Sequence, residues 1–308
     1  MNRHTLIAFA LIVPLGVALG PSTARAQAPD FLNQWGSYGT GSGQFETPVG
    51  VAVAPDGVVY VIDSNLGKLQ AFTRAGTLIA QWSCVGATGI AVDASTVYVV
   101  GGDSFRRFTR AGSLISQRTL IAVAIAVDSF GYVYVTGGTS GVRKLTNNGD
   151  ALISWGPQGT GNGQFSNPNG IALDALGNVY VTDASSSSPR VEVFSNIGVY
   201  LSQWGSPGTG AGQFDTPTRL VVTPGGSVVV VDDFNNRIQA FTESGSFLWQ
   251  LGSAGSGPGQ FANPVGIGVD GDGNIYVADT NNSRIQVFGY GATPTKTQTW
   301  GHLKALYR

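Results

Sequence analysis

The chain has 308 residues, of which 42% are apolar, only 11% are charged and 45 are glycine. Glycine is about one residue in seven, twice its usual share, and the charged fraction is less than half the usual one. This composition disfavours a helical fold, and the charge is too low for a disordered chain. It favours an all-β protein of many short strands. The net charge of −1 argues against a nucleic-acid partner, because phosphate binding needs a basic excess.

The chain begins with a segment typical of a secretory signal. Arg3 and His4 precede the apolar run 6–20, and residues 24–26 form a small-x-small cleavage pattern. The run is shorter than the roughly 20 residues of a membrane span. The sequence therefore predicts a cleavable signal peptide over residues 1–26, no membrane span, and a secreted or periplasmic bacterial protein. Cleavage removes two of the 17 basic residues and none of the 18 acidic ones, so the mature charge is −3.

One pattern of four short strands recurs six times after this segment. An apolar strand is followed by a Gly/Asp turn, a second strand, a polar loop, a third strand, a turn and a fourth strand. The first strands start 35 to 49 residues apart, at Val51, Ile90, Ile125, Ile171, Leu220 and Ile267. Six recurrences of four strands at this spacing predict a six-bladed β-propeller of four-stranded blades over residues 27–290. The six tryptophans fall on or beside fourth strands, where we expect their rings to cover the seams between blades.

The repeats resemble the NHL repeat. Residues 43–53 read Gly-Gln-Phe-x-x-Pro-x-Gly-Val-Ala-Val, and a second strand ending in Asp follows. Segments 163–183 and 259–279 repeat this pattern, and segment 212–232 departs from it at Arg219, where the others have glycine. Blades 2 and 3 are degenerate: they lack the Gly-Gln-Phe segment and carry glycine instead of the Asp. The resemblance implies the propeller fold, and because the family has diverse functions it implies no particular activity.

Two segments could supply the last strand of the sixth blade. Residues 31–35 would close the ring from the N-terminal side, and residues 297–300 could fill the same place. We favour the N-terminal segment. Residues 291–308 are then a C-terminal tail, or otherwise the closing strand.

Three motifs suggest ligand sites but have structural explanations. The glycine-rich segment 39–44 resembles a phosphate loop, yet it precedes a strand, has no lysine and recurs between blades. Segment 270–274 resembles a calcium loop, but position twelve is Asn281 instead of glutamate. Four aspartates follow second strands, and their carboxylates can hold loops through backbone N–H groups: Asp63, Asp183, Asp232 and Asp279. We expect no metal ligand and no cofactor, while carboxylate-bound calcium stays open.

The histidine content argues against catalysis. His302, in the tail, is the only histidine after the signal segment. The lyases and hydrolases of six-bladed folds that would otherwise be considered depend on histidines for zinc binding or proton transfer. We therefore predict no catalytic residue. The alternative is a calcium-dependent hydrolase or lactonase-like enzyme with carboxylates in the central channel.

Residues that break the repeat are the candidates for ligand binding. Arg219 is expected at the mouth of the channel, where it could bind carboxylate or phosphate. The alternatives are a solvated side chain or a pair with Asp215. Segment 101–148 carries six basic and two acidic residues, and its candidates are Arg106, Arg107, Arg143 and Lys144. They suggest a docking patch for an acidic partner, unless they are scattered solubilising charges.

The sequence thus predicts a monomeric, secreted, non-catalytic scaffold that binds a protein, peptide or acidic glycan at one face of the ring. Replacing Arg219, Arg106 and Arg107 by alanine is expected to weaken partner capture while the melting temperature stays nearly unchanged.

Overall fold

The protein is a ring of six separate antiparallel sheets. The computed structural model describes residues 26–137 and 141–290. In these ranges twenty-four strands form six four-stranded sheets, which are the blades of a propeller. The predicted all-β, six-bladed fold is confirmed. The predicted signal peptide, apart from its last residue, and the tail with Trp300 and His302 lie outside the described residues.

The strands of each blade follow one another in the sheet in chain order, except in the sixth blade. Blades 1 to 3 contain β2 (Pro48–Val53), β3 (Val59–Asp63), β4 (Lys68–Phe72), β5 (Leu78–Ser83); β6 (Gly89–Val92), β7 (Thr96–Gly101), β8 (Ser104–Thr109), β9 (Leu114–Thr119); and β10 (Ala124–Val127), β11 (Val133–Thr136), β12 (Val142–Leu145), β13 (Ala151–Trp155). Blades 4 to 6 contain β14 (Pro168–Leu173), β15 (Val179–Asp183), β16 (Arg190–Phe194), β17 (Tyr200–Trp204); β18 (Pro217–Val222), β19 (Ser227–Asp232), β20 (Arg237–Thr242), β21 (Phe247–Leu251); and β22 (Pro264–Val269), β23 (Ile275–Asp279), β24 (Arg284–Gly289) and β1 (Asp30–Trp35). A short 3₁₀ turn, Thr280–Asn282, links β23 to β24.

Burial follows the position of each strand in its blade. First strands line the central channel and contact the first strands of neighbouring blades. Second strands such as β7 and β19 are buried along their whole length, because neighbouring blades cover both of their faces. Fourth strands such as β5 and β17 alternate between exposed and half-buried residues, as expected at the outer edge of a blade.

The N-terminal strand closes the ring. β1 pairs antiparallel with β24, with Phe31 opposite Phe288 and Trp35 opposite Ile285. The favoured closure from the N-terminal side is confirmed by this pairing. The alternative segment, 297–300, lies outside the described residues.

The described tryptophans cover the seams between blades, as predicted. Each packs on a neighbouring blade; for example, a Cβ on Gly112 of blade 2 would lie 2.7 Å from the ring of Trp82 in blade 1. The same relation joins Trp204 of blade 4 to Gly245 of blade 5, also at 2.7 Å. These rings are packing elements, and their contacts are with aromatic residues and turn glycines.

The two faces of the ring carry different loops. The connector face carries the connectors that join each fourth strand to the next first strand, and the loops between second and third strands. The turn face carries the hairpin turns between first and second strands and between third and fourth strands. Four connectors are long, at 36–47, 156–167, 205–216 and 252–263, and two are short, at 84–88 and 120–123.

Candidate functional site: the central channel and its two mouths

A buried carboxylate fixes each long connector. Main-chain N–H groups of the connector donate to it, for example Glu46 N to Asp63 Oδ2 at 2.7 Å and Ala262 N to Asp279 Oδ1 at 2.8 Å. The carboxylates that act in this way are all fully buried: Asp63, Asp183, Asp232 and Asp279. The structural interpretation of these aspartates is confirmed by these contacts.

Buried arginines fill the interior of three long connectors. Arg284 Nε lies 2.7 Å from Asp279 Oδ2, and its terminal nitrogens donate to the carbonyls of Ser256, Gly257 and Gln260. Arg190 and Arg237 bind their own connectors in the same way. The glycine-rich segments therefore direct carbonyl oxygens at an internal cation. This is the opposite polarity to a phosphate loop, which directs N–H groups at an anion.

In blade 2 a close backbone approach takes the place of the buried carboxylate. Gly101 has a φ of +125°, and a Cβ there would lie 2.3 Å from the carbonyl oxygen of Gly86. Only glycine permits this approach. The short connector thus occupies the space that an aspartate fills in blades 1, 4, 5 and 6.

Arg106 and Arg143 bind the two short connectors from within. Arg106 Nη2 donates to the carbonyl of Val85 at 2.9 Å, and Arg143 donates to the carbonyl of Ile121. Their places in β8 and β12 are those that buried glutamines occupy in other third strands. Gln239, for example, donates to the carbonyl of Gln213 at 2.7 Å. The longer arginine side chains make the same kind of bond to a differently placed connector.

Arg107 and Lys144 bridge neighbouring blades on the turn-face side. Arg107 Nη1 donates to Asn148 Oδ1 of blade 3 at 2.6 Å. Lys144 donates to the carbonyl of Asn196 in blade 4 at 3.4 Å, and its ammonium lies 4.4 Å from the centre of the Tyr132 ring. The remaining basic residues of this segment, Arg110 and Arg118, form ion pairs with Asp56 and Asp150. The positive charge of segment 101–148 is therefore engaged in contacts within and between blades.

Arg219 lies in the connector-face mouth of the central channel, as predicted. Its Nη2 donates to the carbonyls of Thr88 at 3.1 Å and Val123 at 3.0 Å, and its Nη1 donates to the carbonyl and the side-chain oxygen of Asn169. These acceptors belong to blades 2, 3 and 4. Loss of hydration lowers its pKa to about 10. Its partners are neutral oxygens instead of the alternative partner Asp215, and they use all four hydrogens of the two terminal nitrogens.

The channel below Arg219 is narrow and aliphatic. It has a volume of about 250 Å³ and is lined by the first strands of all six blades. The side chains in its wall are valine, isoleucine, leucine and alanine, and Arg219 is the charged residue among those that line it. Among the described residues, this wall therefore offers an apolar surface with one guanidinium at its mouth.

The turn-face mouth carries carboxylates held by hairpin turns. In segment 270–274, Asp270 Oδ1 accepts the N–H groups of Asp272 at 3.0 Å and Asn274 at 2.9 Å, and its Oδ2 accepts the hydroxyl of Tyr276. The interpretation of this segment as turn chemistry is confirmed. Asp93, Asp128 and Asp174 occupy the same place in other blades and accept the same kinds of bond.

Two other reactive groups are buried away from the channel wall. The Cys84 thiol is fully buried, and burial raises its pKa. Asp233 lies on the connector face between blades 5 and 6, where burial and the nearby Asp232 and Asp215 raise its pKa to about 7. Within ranges 26–137 and 141–290, no group of three or more His, Cys, Asp or Glu side chains is placed to hold a metal ion. No helix among these residues is long and apolar enough to cross a membrane.

The fold and its internal contacts define a six-bladed β-propeller. The model of the NHL repeat matches residues 165–194 and 261–288, and that of a β-propeller repeat matches residues 107–142, where the pattern is degenerate. The chain carries NHL repeats, as its sequence indicated. No curated protein matches it.

Several solved structures share the fold. They include virginiamycin B lyase from Staphylococcus aureus, with a TM-score of 0.59 and 15% identity over 84% of this chain and 99% of that chain. A gluconolactonase from Xanthomonas campestris has a TM-score of 0.61 and 14% identity over 80% and 88%. A protein of unknown function from Bacteroides thetaiotaomicron has a TM-score of 0.63 and 15% identity over 87% and 74%. At these identities the likeness shows the fold alone.

The five candidate residues from the sequence do not meet in one place. Arg219 lies in the channel, Arg106 and Arg143 lie under the short connectors, and Arg107 and Lys144 lie between blades. Sequence reasoning missed the acidic mouth on the turn face. The signal that could have found it is the recurrence of Asp at one place after the first strand: Asp93, Asp128, Asp174 and Asp270.

Proposed function

We propose that this NHL-repeat propeller is an exported, monomeric, non-catalytic module that binds a protein, peptide or glycan partner at one face of its ring. The observation that carries the proposal is the make-up of the central channel. Its wall is aliphatic, and the terminal hydrogens of Arg219 are taken by oxygens of blades 2, 3 and 4. The surfaces that stay accessible to a ligand are the two faces.

The alternative function, a calcium-dependent lactonase-like hydrolase, needs carboxylates that converge on the channel. The buried carboxylates of the repeat instead accept connector N–H groups, as Asp63 and Asp279 do, and those at the turn-face mouth accept N–H groups of their own turns, as Asp270 does. The likeness to the gluconolactonase therefore concerns the fold of this chain, and the residues of its channel favour a binding function over a hydrolytic one.

A thermal-shift series tests the proposal. The purified chain is heated with chelator, with calcium, with a peptide panel and with acidic glycans. A ligand at one hundred times its Kd raises the free energy of unfolding by about 2.7 kcal/mol, which such a scan detects. We expect no response to calcium or chelator and a rise with one peptide or glycan. A calcium-dependent rise together with lactone hydrolysis would refute the proposal, and so would indifference to every peptide and glycan.

A further inference from the structure

The turn face has an apolar surface that the described residues leave partly uncovered. Six half-buried aliphatic side chains ring this mouth of the channel: Val53, Val92, Val127, Leu173, Val222 and Val269. Two cavities open beside the ring, with volumes of about 790 Å³ and 560 Å³. Volumes of this size are typical of ligand sites.

Large apolar side chains flank these cavities. Phe130 is 87% exposed and Leu176 is 83% exposed, and both stand in turns between first and second strands. Their main-chain N–H groups donate to Asp128 and Asp174, so the backbone of each turn is fixed where its apolar side chain begins. Leu176 lines the larger cavity and Phe130 the smaller one, and the two cavities meet at Pro55 and Val92, so the exposed side chains belong to one docking surface.

The charge of this surface is negative. In the part of the chain that the structure describes, acidic residues line both cavities and no lysine or arginine does. The acidic residues are Asp93, Asp128, Asp174, Glu243 and Asp270. Arg74 contacts Asp270 at 3.6 Å. Among residues 26–137 and 141–290, no ion pair is formed by the other four. Glu243 is exposed and Asp93 and Asp128 are half-buried, so a ligand can reach these three, whereas Asp174 is buried.

The carboxylates are held rigidly at the mouth. Asp93 accepts Thr96 N at 2.7 Å and the Tyr98 hydroxyl at 2.8 Å, and Asp174 accepts Asn178 N at 2.8 Å. Glu243 and Asp174 line the same, larger cavity, so two carboxylates share it. Fixed charges attract a cation without the entropy cost of ordering side chains on binding.

We propose that the turn face binds a basic peptide segment of a partner protein, in which lysine or arginine is flanked by apolar residues. This inference rests on the proposed binding function and names its surface and partner class. The aliphatic stem of a lysine would lie on the six aliphatic side chains that surround the mouth, while its ammonium reaches the carboxylates. The apolar neighbours would pack on Phe130 and Leu176. The charge of this partner is opposite to that of the acidic partner expected from the sequence, because the basic residues of segment 101–148 are engaged in contacts within and between blades.

Fluorescence anisotropy with defined peptides tests this inference. The probes are a labelled peptide of alternating lysine and leucine, its glutamate–leucine counterpart and a lysine–serine peptide. The test variant is Glu243→Gln with Leu176→Ser and Phe130→Ser, because these side chains are exposed and outside the packed core. The matched control makes the same kinds of change on the connector face: Glu46→Gln, Val85→Ser and Phe234→Ser.

We expect the lysine–leucine peptide to bind best, with a Kd that rises about tenfold in the test variant and stays unchanged in the control. Binding should weaken with added salt. Equal binding of the glutamate–leucine peptide, or no binding of the lysine–leucine peptide, overturns the inference. Loss of binding in the control variant alone also overturns it, but leaves the proposed binding function intact at the other face. The proposed function itself falls only on the thermal-shift series above.

Discussion

The guanidinium of Arg219 donates a hydrogen bond to the main-chain oxygen of Thr88, 3.1 Å away on the far side of the central channel. The two residues belong to blades 5 and 2, so the bond spans the ring. With the bonds to Val123 and Asn169, one side chain of blade 5 connects three other blades. Blades 2 and 3 are the ones with short connectors, and Arg219 gives them a tie through the channel.

This geometry changes the expectation for substitution of Arg219. We expect Arg219→Met to lower the free energy of unfolding by about 2 kcal/mol, because three main-chain carbonyls lose a charged donor in a site that water reaches poorly. Denaturant titration followed by tryptophan fluorescence measures this. Arg107→Met is the control. It removes a hydrogen bond to the exposed side chain of Asn148 and should lower the free energy of unfolding by less than about 1 kcal/mol. Equal stability of Arg219→Met and wild type would contradict this structural role of Arg219.

The sequence predicts features that lie within one repeat better than contacts between distant repeats. The period of the strands predicts the blades, and the fixed place of Asp63 and its equivalents predicts how the long connectors are held, because both are set within one repeat. The partners of Arg219 lie 131 and 96 residues away at Thr88 and Val123. Which oxygens it reaches depends on the radius of the closed ring, and no local pattern encodes that distance.

The roles of Arg106 and Arg143 show a second limit. Their sequence neighbourhood suggests an exposed basic patch, whereas their position in the third strand matches buried glutamines such as Gln70 and Gln239. Aligning the repeats strand by strand would have revealed this. The acceptors Val85 and Ile121 could not be inferred, because the paths of the short connectors follow from the fold alone.

The buried arginine of blade 6 is expected to contribute strongly to stability. Arg284→Met removes the partner of Asp279 and the donor to three connector carbonyls, so the free energy of unfolding should fall by about 3–5 kcal/mol. Lys68→Met is the matched control at the same place in blade 1. Lys68 binds the single carbonyl of Thr40, and its loss should cost less than about 1 kcal/mol. Similar costs for the two variants, measured by chemical denaturation, would contradict this prediction.

Asp233 makes stability depend on pH. Its folded pKa of about 7 lies above the ordinary aspartate value of 3.8, so protonation favours the folded state. The resulting stability is fully present below the unfolded pKa and is lost as the pH rises through the folded pKa. At about pH 8, Asp233→Asn should therefore be more stable than wild type, by about 4 kcal/mol, and near pH 4 the difference should nearly vanish. Asp103→Asn, an exposed change on the same face, should shift neither value. Thermal melts across this pH range that show a constant difference would rule out Asp233 as the titrating group.

Because β1 closes the ring, removal of the N-terminal strand should destabilise the fold much more than removal of the C-terminal tail. A chain that begins at residue 36 lacks β1, so β24 becomes an unpaired edge and the seam loses Trp35, which packs against Phe45 and Phe72. Relative to a chain that begins at residue 26, its free energy of unfolding should fall by more than about 3 kcal/mol, the usual cost of removing a buried tryptophan alone. A chain that ends at residue 290 is the control and should match its parent within about 0.5 kcal/mol. If the second truncation were the destabilising one, the C-terminal segment would be the closing strand. Calorimetry of the three chains decides between the two ends.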